Sequence, residues 1–259
     1  MTTATAHSLA YRRDDGIWVF PADEFDSRRF DYKAGQHVVF AGPTQRAGKT
    51  TRAFKLLRYI ATPELPAYVA VCKPKDKVTS VEGARLGFRR TPTWPVSPKL
   101  REMWDGKPPG YLIWPDMSNP DTALDNAAIA TSLLIDDVYS KGAKNKEGIL
   151  VLDDTVTKSK VLGLDRKMVM VITMSGAMGI GGWFFVQKPS DAGKAALWSY
   201  PNAEHVFISK DPVKKNRAYY DEIGGFEGGQ VARISLSLEP YQFLYLERTH
   251  GYMCIVDSK

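Results

Sequence analysis

A mixed α/β fold, with a largely parallel central sheet flanked by helices, is predicted by three observations. Apolar runs of strand length recur without polar alternation, at Val38-Val39-Phe40-Ala41, Tyr68-Val69-Ala70-Val71-Cys72 and Ile149-Leu150-Val151-Leu152. Strands buried on both faces of a parallel sheet have this pattern. Segments of helical spacing alternate with them, as crossover connections require. The first run also passes through a turn containing Gly42 and Gly48, within Gly42 to Thr51, into a helical pattern at Phe54, Leu56, Leu57, Tyr59 and Ile60.

The elements follow in order. Ile17 to Phe20 is a short strand in an N-terminal extension, residues 1–35, and the main domain spans 36–259. Pro63 and Pro66 end the first long helix, because proline lacks the amide that a helix interior needs. The second apolar strand leads into Lys73-Pro74-Lys75-Asp76. Residues 79–120 lose periodicity and mix prolines, bases and tryptophans, and are expected to form an insertion with short elements, including a strand at Leu112-Ile113-Trp114. Bases interleaved with aromatics suit nucleic-acid contact, whereas tryptophans packed under a loop give the same composition.

Asp121 to Tyr139 has helical spacing, with Leu124, Ala128, Ile129, Leu133, Leu134 and Val138 on a broad face. A polar loop precedes the strand that ends in Asp153 and Asp154. Helix and strand fill Ser159 to Gln187, and further strands are expected at Glu204–Ile208, Phe243–Glu247 and Met253–Asp257.

The chain has 259 residues, 44% hydrophobic and 25% charged, as expected of a globular protein with a substantial core. Its net charge of +6 favours a polyanionic partner such as nucleic acid, or simply a solvated basic surface. Two cysteines, Cys72 and Cys254, are expected to be buried thiols in a reducing compartment. The first 15 residues have no apolar core of signal-peptide length, which points to a cytoplasmic protein. Met168 to Gln187 is uncharged and close to membrane-spanning length, but Gly176, Gly179, Gly181 and Gly182 divide it. Helix, glycine turn and buried strand account for it better than a membrane span.

The turn Gly42-Pro43-Thr44-Gln45-Arg46-Ala47-Gly48-Lys49-Thr50-Thr51 has the composition of a phosphate-binding loop. Backbone amides at a helix N-terminus point at phosphate oxygens, and the helix dipole favours the same negative charge. In the pattern G-x-x-x-x-G-K-[ST] the lysine, here Lys49, reaches the outer phosphates and the hydroxyl, here Thr50, ligates Mg2+. Five residues rather than four separate Gly42 from Gly48. Either the loop carries one extra residue or Pro43 stands at the first-glycine position.

A nucleotide hydrolase with such a loop needs a carboxylate on a neighbouring strand to hold the metal, and Asp153 is the candidate. Asp154 is then the candidate to activate the attacking water, with a side chain one methylene shorter than glutamate. Leu133-Leu134-Ile135-Asp136-Asp137 also ends in two acids, but its surroundings have helical spacing, which favours Asp153 and Asp154. Trp183-Phe184-Phe185-Val186 is a buried strand, and Gln187 stands at its carboxyl end, where ligands of parallel sheets bind.

Taken together, the loop, Lys73-Pro74-Lys75-Asp76, Val151-Leu152-Asp153-Asp154, and Gly179-Ile180-Gly181 leading to Gln187-Lys188-Pro189-Ser190 resemble the FtsK–HerA superfamily of DNA-pumping ATPases. The resemblance runs from about Gln36 to Gly225. It implies a P-loop NTPase fold of the RecA/ASCE-like class, with Walker A and Walker B motifs. It also implies ATP at Gly42, Thr44, Gln45, Arg46, Ala47, Gly48, Lys49, Thr50 and Thr51, and Mg2+ at Thr50 and Asp153. Lys49, Asp154 and Gln187 would be the catalytic set, with Gln187 sensing the γ-phosphate. The implied partners are DNA and further copies of the chain in a ring, hexameric in this family, with an arginine from the neighbour; Arg166, Arg217 and Arg233 are candidates. The chain departs from the family pattern at Cys72, Asp154 and Val186, where Asp, Glu and Thr are usual.

The expected function is accordingly an ATP-hydrolysing motor that translocates or packages DNA, resembling a minimal motor of a phage or mobile element. An ATP-binding regulatory or assembly protein with weak hydrolysis is the alternative, permitted by Asp154 and the lengthened loop. A small-molecule kinase would use the same loop, but no arginine-rich lid is evident.

Overall fold

The computed structural model describes residues 9–43, 47–187, 203–213, 217–220, 223 and 225–258. In chain order the strands are β1 (Tyr11–Arg12), β2 (Trp18–Pro21), β3 (Val38–Ala41), β4 (Ala67–Ala70), β5 (Arg89–Thr91) and β6 (Gly110–Ile113). They continue with β7 (Gly148–Leu152), β8 (Ile180–Val186), β9 (His205–Ser209), β10 (Gln242–Glu247) and β11 (Tyr252–Asp257). The main helices are α1 (Ala22–Arg28), α2 (Lys49–Ile60), α3 (Lys77–Arg85), α4 (Pro98–Glu102), α5 (Ala123–Gly142), α6 (Asp165–Met170) and α7 (Gly228–Ser237).

Among the described residues, 11 strands form one sheet in the order β1-β2-β11-β10-β9-β3-β8-β7-β4-β6-β5. The stretch from β9 through β3, β8, β7, β4 and β6 to β5 is parallel throughout. Strand β10 runs antiparallel to both β9 and β11, and β1 antiparallel to β2. Strand β8 lies between β3 and β7, so the end of β8 falls between the glycine-bounded turn and the two acids.

The continuous apolar runs are explained by helices on both faces. Val38 and Phe40 of β3 join one core with Phe25, Phe54, Leu56 and Leu57 of α1 and α2. Val39 and Ala41 join the other, with Leu134, Ile135 and Val138 of α5 and Val231 and Ile234 of α7. Successive residues of a strand point to opposite faces, so both registers must be apolar. On α2, Tyr59 leaves the expected apolar face and is 45% exposed.

Helix α5 buries a different stripe from the one its sequence suggests. Ala127, Ala130, Thr131, Leu134, Ile135 and Val138 are buried, while Leu124, Ile129 and Leu133 are exposed. The small side chains of Ala127 and Ala130 allow close approach to the sheet, and an apolar surface wider than one stripe leaves the remainder outside.

The basic and aromatic segment is built into the edge of the sheet. Strand β6 pairs with β4, and β5 with β6, while α3 packs beside α2. Its tryptophans face inward. Trp94 and Trp114 are each 5% exposed, Trp104 packs against the core, and the Trp94 indole donates to Asp137 at 2.9 Å. They are structural rings rather than free stacking platforms. Cys72, expected inside a strand, follows β4 and is half-buried, whereas Cys254 is buried in β11. No helix among the described residues is long and apolar enough to cross a membrane.

Candidate nucleotide site

Loops from the carboxyl ends of β3, β4, β7 and β8 meet over one pocket, as expected in an open parallel sheet. Its volume is about 270 Å3, and Ala47, Gly48, Lys49, Thr50, Thr51, Lys73, Val78, Asp153, Asp154, Phe185, Gln187 and Tyr241 line it. The sequence-predicted Ala47, Gly48, Lys49, Thr50, Thr51, Asp153, Asp154 and Gln187 are thus brought together. Thr44, Gln45 and Arg46 lie outside the described residues, as do Lys188, Pro189 and Ser190.

The loop geometry depends on its two glycines. Gly42 has φ 145°, and a Cβ there would lie 1.8 Å from the Ser209 hydroxyl, so a side chain is excluded on both counts. Gly48 has φ 73° at the N-cap of α2, and the first residues of that helix, whose amides have no intrahelical partner, line the pocket.

Lys49 is 8% exposed, and its ammonium donates to the carbonyls of Gly42 at 2.5 Å and Pro43 at 3.0 Å. Burial pulls its pKa down to about 8, against the opposing fields of Asp153 and Asp154. A desolvated ammonium with neutral carbonyl partners is suited to receive an anion.

Asp153 follows β7 and is 6% exposed. Lys73 approaches its carboxylate at 3.4 Å, and the wholly buried Lys158 donates to its main-chain carbonyl. Burial opposes the Lys73 charge, yet the combined fields of Asp153, Asp154 and Asp76 hold its pKa above the ordinary lysine value. Asp154 stands at φ 53°, which non-glycine residues adopt rarely and aspartate more readily than most. Its carboxylate accepts from the Thr157 amide at 3.3 Å and from the Gln187 amide group at 3.3 Å.

The competing acids sit elsewhere. Asp136 and Asp137 lie on α5, where Asp136 pairs with Lys167 and Asp137 with Lys141 at 2.8 Å. Neither lines the pocket. Arg166 is exposed on α6 and Arg233 on α7, while Arg217 opens the short helix Arg217–Tyr220. Among the described residues, no cluster of three or more histidine, cysteine or acidic side chains is arranged to hold a metal. Thr50 and Asp153, the pair expected from the resemblance to hold Mg2+, both line the pocket.

Lys73, Val78 and Tyr241 line the pocket without having been assigned to it from sequence. The Lys73-Pro74-Lys75-Asp76 motif carried a signal for the first. Tyr241 comes from a turn far along the chain, and its sequence gives no sign that it returns to Gly48.

No family model matches the sequence, and no curated protein matches it. Solved structures do. The DNA-packaging ATPase B204 of Sulfolobus Turreted Icosahedral Virus is similar at 12% identity and a TM-score of 0.58, over 88% of this chain and 100% of that one. The genome packaging NTPase B204 of Sulfolobus turreted icosahedral virus 2, in complex with AMPPCP, aligns at 13% identity and a TM-score of 0.59, over 86% and 98% of the two chains. The cytoplasmic domain of the Type VII secretion ATPase EccC of Thermomonospora curvata covers 99% of this chain but 29% of its own length, at 10% identity and a TM-score of 0.54. At these identities the likeness is one of fold. The chain has the mixed α/β P-loop ATPase fold of these structures.

Proposed function

We propose that the chain is an ATP-hydrolysing motor that translocates or packages DNA. The observation that carries this is the convergence of Lys49, Thr50, Asp153, Asp154 and Gln187 on one pocket at the carboxyl edge of the sheet. The fold likeness to packaging ATPases and the net charge of +6 support DNA as the polymer.

The residues fit a magnesium nucleotide. The α2 amides and the Lys49 ammonium bind and orient the phosphates, and Lys49 exchanges its loop carbonyls for phosphate oxygens. Mg2+, held by the Thr50 hydroxyl and the Asp153 carboxylate, would offset phosphate charge. Asp154 accepts a proton from the attacking water, and the Gln187 amide, bonded to Asp154, orients that water or the γ-phosphate. Lys73 leaves the Asp153 carboxylate as the site fills. In a ring of copies, hexameric in the proposal, an exposed arginine such as Arg166 or Arg233 completes the neighbour's site.

Steady-state phosphate release with and without double-stranded DNA tests this. Stimulation by DNA, abolished in Lys49→Ala, is expected. A monomer by mass with no stimulation would overturn the motor. The short Asp154 carboxylate, already bonded to Thr157 and Gln187, favours a second reading as a weakly hydrolysing assembly ATPase. Tight ATP binding with negligible turnover, whatever DNA is present, would select that one.

A further inference from the structure

Beside the phosphate pocket lies a second cavity of about 260 Å3, lined by Gly48, Thr51, Arg52, Tyr241, Phe243 and Ser258. The two cavities share Gly48, Thr51 and Tyr241. A Cβ on Gly48 would lie 3.6 Å from the Tyr241 ring and 3.7 Å from the Phe243 ring, so both aromatics lie against the bare backbone where α2 begins. Tyr241 adopts φ 68°, and its carbonyl accepts from the Ser258 amide at 3.1 Å. That conformation, uncommon for an aromatic residue, holds a half-exposed ring between the two cavities.

We infer that this second cavity is a nucleobase subsite which holds the base by its face and does not read its edge, so that adenine and guanine nucleotides bind alike. The inference rests on the proposal that nucleotide phosphates occupy the adjoining pocket. A base carried by phosphates at Lys49 needs an apolar, ring-lined space next to Gly48, and the Tyr241 and Phe243 rings line this one. Stacking tolerates any base, because every base has a π-face. Discrimination between purines would need fixed donors and acceptors aimed at the edge. The polar groups here are otherwise committed or ambivalent. The Arg52 guanidinium pairs with Asp26 and donates to the Ser258 hydroxyl at 3.4 Å, and its buried Nε is left as a single donor, which an N7 present on both purines satisfies equally; the Thr51 and Tyr241 hydroxyls can each donate or accept, so they suit either purine.

Dissociation constants of ATPγS, GTPγS and inorganic tripolyphosphate, each with Mg2+, test this on the full chain and on Tyr241→Ala, Tyr241→Phe and Lys49→Ala. In the wild type the two nucleotides should agree within about three-fold, and both should bind roughly ten-fold or more tighter than tripolyphosphate, the scale of one stacked base. Tyr241→Ala should reduce both nucleotides to the tripolyphosphate level while leaving tripolyphosphate itself unchanged, which also shows that the variant is folded. Tyr241→Phe should behave as wild type, and Lys49→Ala should lose all three. Unchanged nucleotide affinity in Tyr241→Ala, or a preference between the purines above roughly thirty-fold, would overturn the subsite. If none of the three probes binds the wild type, the phosphate pocket has failed first, and the subsite with it.

Discussion

The side-chain amide of Gln187 donates to the Asp154 carboxylate at 3.3 Å, joining the carboxyl ends of β8 and β7 above the proposed phosphate pocket. The bond exists because β8 is inserted between β3 and β7. One residue thereby touches the acid proposed to handle water and faces the space proposed for the γ-phosphate.

Replacing Gln187 should separate turnover from binding. In Gln187→Ala, kcat is expected to fall about ten- to hundred-fold with little change in ATPγS affinity, because a group acting on the reacting water contributes chiefly in the transition state. Gln187→Glu should be worse, since a carboxylate beside Asp154 substitutes like-charge repulsion for a donated hydrogen bond. Equal kcat in the wild type and both variants would remove Gln187 from the mechanism.

Nucleotide affinity should depend on pH through Lys49. Its pKa, lowered by burial to about 8, means that the free ammonium is charged below pH 8 and progressively neutral above it. A bound phosphate favours the charged form, so binding above pH 8 must take up a proton. The association constant is then expected to fall by up to about ten-fold per pH unit between pH 8 and 10. Titration calorimetry with ATPγS measures this, and Lys49→Ala should bind weakly with a flat profile.

Two buried histidines at the opposite edge of the sheet should make the fold sensitive to acid. His37 and His205, at the amino ends of β3 and β9, are held near pKa 4 by burial, with His37 accepting from the Gly182 amide at 2.8 Å. Below pH 6.5 the unfolded chain takes up protons that the folded chain refuses, so stability is intact at neutral pH and declines as pH falls towards 4. The expected loss is about 3 kcal/mol per histidine once pH reaches 4. Urea denaturation at several pH values reads it, and His205→Asn should halve the slope between pH 6.5 and 4.5. A flat profile would place these rings in water.

The parts of the site that were legible in the sequence are those written in consecutive residues. Gly48-Lys49-Thr50 after an apolar run, Leu152-Asp153-Asp154 at a strand end and Val186-Gln187 each carry strand, terminus and functional group in one short window. Tyr241 reaches the pocket only through the order of strands, which local pattern does not encode. The same holds for Asp26, whose pairing with the buried Arg52 ties α1 to α2 beneath the loop. Composition left Trp94 and Trp114 open, because interleaved bases and aromatics look alike whether the rings face DNA or the core. In α5 an apolar surface wider than one stripe hid which side the sheet would take, and the small Ala127 and Ala130 decided it.

The assignment of the acids is tested most directly by phosphate release from Mg2+-ATP in four proteins: wild type, Asp153→Asn, Asp154→Asn and Asp136→Asn. Asp153→Asn and Asp154→Asn are each expected to lose about a hundred-fold or more in kcat, while Asp136→Asn, which loses only its pairing with Lys167 on α6, should turn over as wild type. Loss of turnover in Asp136→Asn with Asp153→Asn still active would contradict the site.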